Sequence, residues 1–244
     1  MNNAIFFIRC RAGFTLVEMA VVLVIVGLMM GGLLVPISAQ IDQRNQSEVR
    51  NQIADIKDAL IGYALANGQL PCPATPTTAT GAPHAGEPIA DCSSGATGVI
   101  PWVTLGLKET DPWGHRFSYR VTNIYADAIT DNTFGTGCIP SPSPTTSSFA
   151  LCSQGNIDIS ATAGGGALAS NVPAVIVSHG KNGAGGYLPT GSQTITGSDA
   201  DESENSDNDA GFVDHETNST YDDVVGWVPG TILLNRMVTA GKLP

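Results

Sequence analysis

The chain has 244 residues, of which 14% are charged, with 28 glycines and 15 prolines. That length suits one domain or a small pair, and the composition favours a loop-rich fold over a compact helical enzyme. A net charge of −11 repels phosphate backbones, so nucleic-acid binding through a basic patch is excluded as a function class.

The first 13 residues carry Arg9 and Arg11 and end in Gly13. From Phe14 to Ala39 the sequence is apolar almost throughout, with one charge, Glu18. About 20 apolar residues cross a bilayer as a helix, so 14–39 is predicted to be a transmembrane helix. The arginines before it, with no basic cluster after it, predict a cytoplasmic N-terminus and an exported remainder. A secretory signal places its small-residue cleavage site after the apolar core. Here the small residue, Gly13, comes first. Gly27 and Gly31 form a GxxxG that would let helices approach closely. The other reading is a weakened helix, since Gly32 and Pro36 follow.

The helix is predicted to continue through 40–68. Ile53, Ile56, Leu60 and Tyr63 recur at intervals of three and four, one apolar stripe among charged residues. Asn67-Gly68 and Pro71 supply the stop. A helix from Phe14 to Asn67 would hold about 54 residues and reach roughly 80 Å.

Residues 69–244 form the expected globular head. Residues 71–98 and 135–155 read as Pro/Gly/Ser/Thr-rich loops. Arg116–Tyr125, Asn156–Ser160, Pro173–Ser178 and Val224–Val228 are strand candidates, and Thr231–Ala240 is a candidate terminal helix. A long helix followed by clustered short strands predicts an α+β fold, with a small antiparallel sheet packed on the helix.

There are five cysteines, and Cys10 precedes Gly13, so four remain beyond it. None forms a CxxC pair, and four spaced cysteines point to two disulfides in an oxidising compartment. Of three pairings, Cys72–Cys92 and Cys138–Cys152 are favoured, because each closes a short loop with few apolar anchors.

Ten of the 22 acidic residues fall within 199–223. Hard oxygen ligands at this density suit calcium, with Asp207, Asp209 and Glu216 as the predicted ligands. The alternative is a solvated acidic loop that keeps the surface soluble. His84, His115, His179 and His215 lack zinc spacing, and neither GxSxG nor a phosphate loop is present. The chain is therefore read as a non-enzyme.

Residues 11–18, Arg-Ala-Gly-Phe-Thr-Leu-Val-Glu, resemble the type IV prepilin signature of pilins, pseudopilins and minor pilins. The resemblance implies that a prepilin peptidase cuts between Gly13 and Phe14 and N-methylates Phe14. It makes Glu18 an assembly residue, consistent with the cost of a lone carboxylate in a membrane, about 2.5–3.5 kcal/mol unless partnered. Cleavage would remove both arginines and leave 9 Lys and Arg against 22 Asp and Glu, a net −13. Asp111-Pro112-Trp113-Gly114 and the glycine-rich run from Ser178 to Gly186 resemble segments of the major, G-type pseudopilins of type II secretion. In those proteins an acidic loop after the glycine-rich turn binds calcium.

The expected function is a structural subunit, pseudopilin or minor pilin, that polymerises through its N-terminal helix. The alternative is a ligand-binding or adhesin tip subunit that uses the long loops at 135–170 and 186–223. Expected partners are prepilin peptidase, other pilin subunits, an inner-membrane assembly platform and inner-membrane lipid. The expected location is the bacterial inner membrane with a periplasmic head, followed by the filament.

Overall fold

The computed structural model describes residues 13–92, 96–126, 138 and 146–243, with the side chains of 30–39 and 96 left out. Arg9, Cys10, Arg11, residues 135–137 and 139–145 of the loop expected at 135–155, and the side-chain surroundings of Gly31, Gly32 and Pro36 lie outside the described residues. The chain separates into two units, Met1–Gln46 and Ser47–Pro244.

Helix α1 spans Leu16–Asn67 and runs through both units. It ends as its sequence predicts. Gly68 takes a left-handed φ of 76° and its amide bonds the Ala64 carbonyl at 2.7 Å, a geometry that glycine adopts without a Cβ penalty.

After α1 come β1 (Ala96–Val99), α2 (Trp102–Leu105), β2 (Ser118–Val121), α3 (Asn123–Ala126) and β3 (Ile157–Ser160). Then follow β4 (Ala167–Val172), β5 (Ala174–Ser178), α4 (Ala200–Glu204), β6 (Gly211–Val213), β7 (Val224–Val228) and α5 (Gly230–Thr239). The expected α+β class is observed, but with two sheets rather than one. A four-stranded antiparallel sheet has the order β1-β2-β5-β7, and a three-stranded sheet the order β4-β3-β6. In the smaller sheet β3 pairs antiparallel with β4 but parallel with β6. A parallel pair needs a crossover, and the stretch from β4 through α4 provides it.

Within Ser47–Pro244 the layers follow from the central strand. All five residues of β5 are buried. Ala174 and Ile176 join the core that contains Val49, Ile53, Ile56, Leu60 and Ala64 of α1. Val175 and Val177 face the other way, into a second core with Ile157 and Ile159 of β3 and Phe212 of β6. Successive strand side chains point to opposite faces, so a strand covered on both must be continuously apolar, as Ala-Val-Ile-Val is. The helix stripe differs from expectation at one turn, where Ala64 is buried and Tyr63 only partly so. Ile53 also sits where a Cβ on Gly226 would stand, so this glycine lets β7 approach the helix.

The strand expected over 116–125 is shorter. Thr122 accepts the Tyr125 amide at 3.0 Å, which turns the chain into α3, and its hydroxyl donates to the Val172 carbonyl at 3.0 Å. Arg116 lies before β2, in isolated bridges with Thr110 and Tyr187, and is fully buried. It bonds Glu109 Oε1 through Nε at 2.9 Å and Nη2 at 2.8 Å, and donates to the carbonyls of Pro76, Thr78 and Pro189. Its guanidinium also lies 4.7 Å from the Trp102 ring centroid. One cation thereby ties the segment at 76–80 to Glu109 and Pro189. The Cys72–Cys92 and Cys138–Cys152 disulfides are both present.

Candidate functional site

Two places concentrate chemistry: the start of α1 and an acidic cluster beside the glycine-rich turn. At the start of α1, Thr15 is the residue before the first helical position and Glu18 is the third within it. The Glu18 amide donates to Thr15 Oγ1 at 3.3 Å, while Glu18 Oε2 accepts the Thr15 amide at 3.0 Å and hydroxyl at 3.1 Å. This is a capping box, written in the sequence as Thr-Leu-Val-Glu. The sequence reading assigned Glu18 to assembly and missed this local role, although T-x-x-E was the signal for it. Phe14 is 81% exposed, Leu16 88%, and the large apolar residues on to Met29 are also exposed. Among the described residues, no helix is long and apolar enough to cross a membrane.

In the head, Asp111 makes a tight turn. Its Oδ1 accepts the amides of Trp113 at 3.0 Å and His115 at 2.9 Å, and Gly114 has φ 91°. Trp113 is half-buried at the edge of the main core. Asp111 Oδ2 accepts from Ser178 Oγ at 2.7 Å, joining this turn to the end of β5. Burial raises the Asp111 carboxyl, and the Ser178 and backbone bonds partly offset that. Next along the chain, His179 is fully buried, with Nε2 2.7 Å from Ser118 Oγ. Burial lowers its pKa to about 4, so the ring is neutral at pH 7. Its Nδ1 lies 3.9 Å from Asp223 Oδ1, too far for a hydrogen bond.

Beyond His179 the glycine-rich turn meets three carboxylates. Glu202 of α4, and Asp222 and Asp223 just before β7, bring one oxygen each within 4.8 Å of the others. Glu202 Oε1 accepts from Asn182 Nδ2 at 2.8 Å and the Asp222 amide at 3.1 Å. Asp222 Oδ2 accepts the amides of Lys181 at 2.9 Å and Asn182 at 3.0 Å, and Asp223 Oδ2 accepts from Asn205 Nδ2 at 2.8 Å. Burial, opposed by these bonds and reinforced by neighbouring acids, raises Glu202, and raises Asp223 well above the usual carboxylate range.

The predicted calcium ligands lie elsewhere. Asp207 and Asp209 are exposed and cap their own turns, accepting the amides of Asp209 at 3.0 Å and Gly211 at 2.6 Å. Glu216 is also exposed. Much of the expected acidic loop is ordered into α4 and β6.

Residues 8–34 match a family described as the prokaryotic N-terminal methylation motif. The chain is type IV pilin-like. No curated protein and no solved structure is significantly similar to it. The match covers the Gly13–Phe14 junction, Thr15 and Glu18, so the motif that marks this pilin-like chain also contains its capping box. It does not reach the head, and it does not separate a pseudopilin from a minor pilin.

The three carboxylates of the head have the donor chemistry for a hard cation. Oxygens bound to one calcium at 2.3–2.6 Å stand at most about 5 Å apart, a spacing that Glu202, Asp222 and Asp223 meet. Asp222 Oδ1 and Asp223 Oδ1 are buried without hydrogen-bond partners, so the head has oxygens to offer. A cation there would supply charge neutralisation and a link between α4 and β7. Sequence reasoning passed over these three because Glu202 is some 20 positions from the aspartates, and only the fold joins them.

Proposed function

We propose that this pilin-like chain is a structural subunit of a type IV filament, either a secretion pseudopilus or a pilus. In this reading a prepilin peptidase cuts after Gly13, and the new N-terminus at Phe14 is methylated. The apolar part of α1 then holds the subunit in the inner membrane, with the head in the periplasm, until an assembly platform moves it into the filament.

The observation that carries the reading is the methylation motif placed on a helix with an exposed apolar surface. A helix that is apolar all round is stable only when lipid or other helices cover it. Stacked subunits would supply that cover. Glu18 then has a second task, because the Phe14 amine of a neighbour can reach its carboxylate and neutralise it where no water is available.

The test is Glu18→Ala, assayed by the amount of subunit in sheared filaments against the amount retained in membranes. Loss from filaments with normal membrane levels is expected. Normal incorporation of the variant would sink the reading. Processing is followed separately by N-terminal sequencing, which should begin at Phe14.

A further inference from the structure

We propose that Asn218 is an acceptor for N-linked glycosylation, taking an oligosaccharide from a polyprenyl pyrophosphate donor. In the cell this rests on export of the head, as proposed for the filament subunit.

The chain contains two Asn-x-Ser/Thr sequons, Asn45-Gln46-Ser47 and Asn218-Ser219-Thr220, neither with proline in the middle. The fold separates them. Asn45 and Ser47 lie within α1, where residues two apart stand roughly 200° apart around the axis and do not face each other. A helix therefore keeps that hydroxyl away from its asparagine. Asn218, Ser219 and Thr220 are all exposed, in the loop between β6 and β7.

This loop presents its asparagine in a defined turn. Asn218 Oδ1 accepts the amides of Thr220 at 2.8 Å and Tyr221 at 3.0 Å, and the Thr220 hydroxyl at 3.1 Å. The Asn218 amide closes the turn on the Tyr221 carbonyl at 2.8 Å. Tyr221 anchors it, being buried, stacked 3.9 Å from the His215 ring, and bonded through its hydroxyl to the Val213 carbonyl at 2.7 Å. The Thr220 hydroxyl also meets the Asp199 carboxyl and lowers its pKa. Backbone N–H groups only donate, so the atom they bond is the side-chain oxygen, and the nitrogen is the atom left over. That Nδ2 has no hydrogen-bond partner among the described residues. An amide nitrogen is a weak nucleophile because its lone pair is shared with the carbonyl. Donors on Oδ1 stabilise the negative charge that builds there as Nδ2 gives up a proton. Glu216, exposed and two residues before Asn218, offers a carboxylate that a cationic transferase surface can hold. In the transfer, a bond forms between Nδ2 and the sugar C1 while the bond from C1 to the pyrophosphate oxygen breaks. The bonding pair leaves with the polyprenyl pyrophosphate, and the Nδ2 proton passes to a base of the transferase.

The experiment uses the full chain in detergent micelles with a bacterial oligosaccharyltransferase and a polyprenyl-pyrophosphate-linked oligosaccharide, read by glycopeptide mass spectrometry. The wild-type chain should carry glycan at Asn218 and none at Asn45. Thr220→Ala should abolish the transfer, and Thr220→Ser should retain it. Glu216→Gln should slow it by about tenfold, the size of one lost charge-assisted contact. Melting temperatures check that each variant folds, and substitutions at these exposed positions should leave them close to wild type. An unmodified Asn218 in the wild-type chain overturns the proposal. Equal transfer to Asn45, or undiminished transfer to Asn218 in Thr220→Ala, overturns it as well. The assay needs no export, so its failure leaves the filament reading intact, since that is read from Glu18.

Discussion

Glu18 and Thr15 hold one another at the start of α1: the Glu18 carboxylate accepts the Thr15 amide at 3.0 Å, and the Thr15 hydroxyl accepts the Glu18 amide at 3.3 Å. The carboxylate therefore already has a partner in the free subunit. In a filament it would exchange, or share, this local bond with the amine of a neighbour. The capping box gives this charged residue a partner within its own apolar helix.

Thr15→Ala separates the two tasks of Glu18. The variant should fray the first turn, with amide exchange at Glu18 faster by roughly fivefold, the usual size of a lost cap. Filament incorporation should persist, because the carboxylate remains. If Thr15→Ala were as damaging to incorporation as Glu18→Ala, capping and not intersubunit pairing would be the role of Glu18.

Arg116 makes a second prediction. Its guanidinium is fully buried and satisfies Glu109 and three carbonyls at once. Arg116→Met should lower the unfolding free energy by about 3–5 kcal/mol, since the partners of a buried pair are left without their charge complement. Denaturant titration of the variant measures it, and the double variant Arg116→Met/Glu109→Gln should recover part of the loss. An unchanged midpoint for Arg116→Met would contradict the role assigned here.

Tyr125 sets a pH limit. Its ring packs 4.8 Å from Phe149 and its hydroxyl donates to the Ser153 carbonyl at 2.8 Å. Burial pushes its pKa up to about 12, against an ordinary value near 10. The folded state thus keeps a proton that the unfolded state loses. This contribution is complete below pH 10 and is lost as pH rises towards 12, by about 2–3 kcal/mol. Tyr119, raised in the same direction by burial, adds to the trend. Tyr125→Phe should flatten its share of the alkaline slope, as seen in melting temperature against pH. A slope unchanged in that variant would show that Tyr125 does not cause it.

The parts of the fold legible in the sequence were those set by local pattern. The end of α1 at Asn67 follows from Asn-Gly, β5 from a short apolar run, and β7 from Val224–Val228. The favoured cysteine pairings followed from loop length, and both bridges are present. What escaped was structure that exists only through pairing. The segment β4 carries mostly exposed residues, β6 has three residues, and β1 includes a glycine, so none shows an alternating pattern. Each is a strand because a neighbour supplies its hydrogen bonds.

The Gly13–Phe14 junction and Glu18 are contiguous, so sequence order alone carries their signal, and the methylation motif is read without any fold. The carboxylate cluster shows the opposite case. High acid density between 199 and 223 pointed to calcium, with Asp207, Asp209 and Glu216 as ligands, or to a solvated loop. The fold sorts these acids by solvent. It left Asp207 and Asp209 exposed to water. It carried Glu202, Asp222 and Asp223 under the glycine-rich turn, where Asp222 Oδ1 and Asp223 Oδ1 are buried without a donor. Removal of water gives an acidic side chain a need for a cation, and removal of water is decided by tertiary packing.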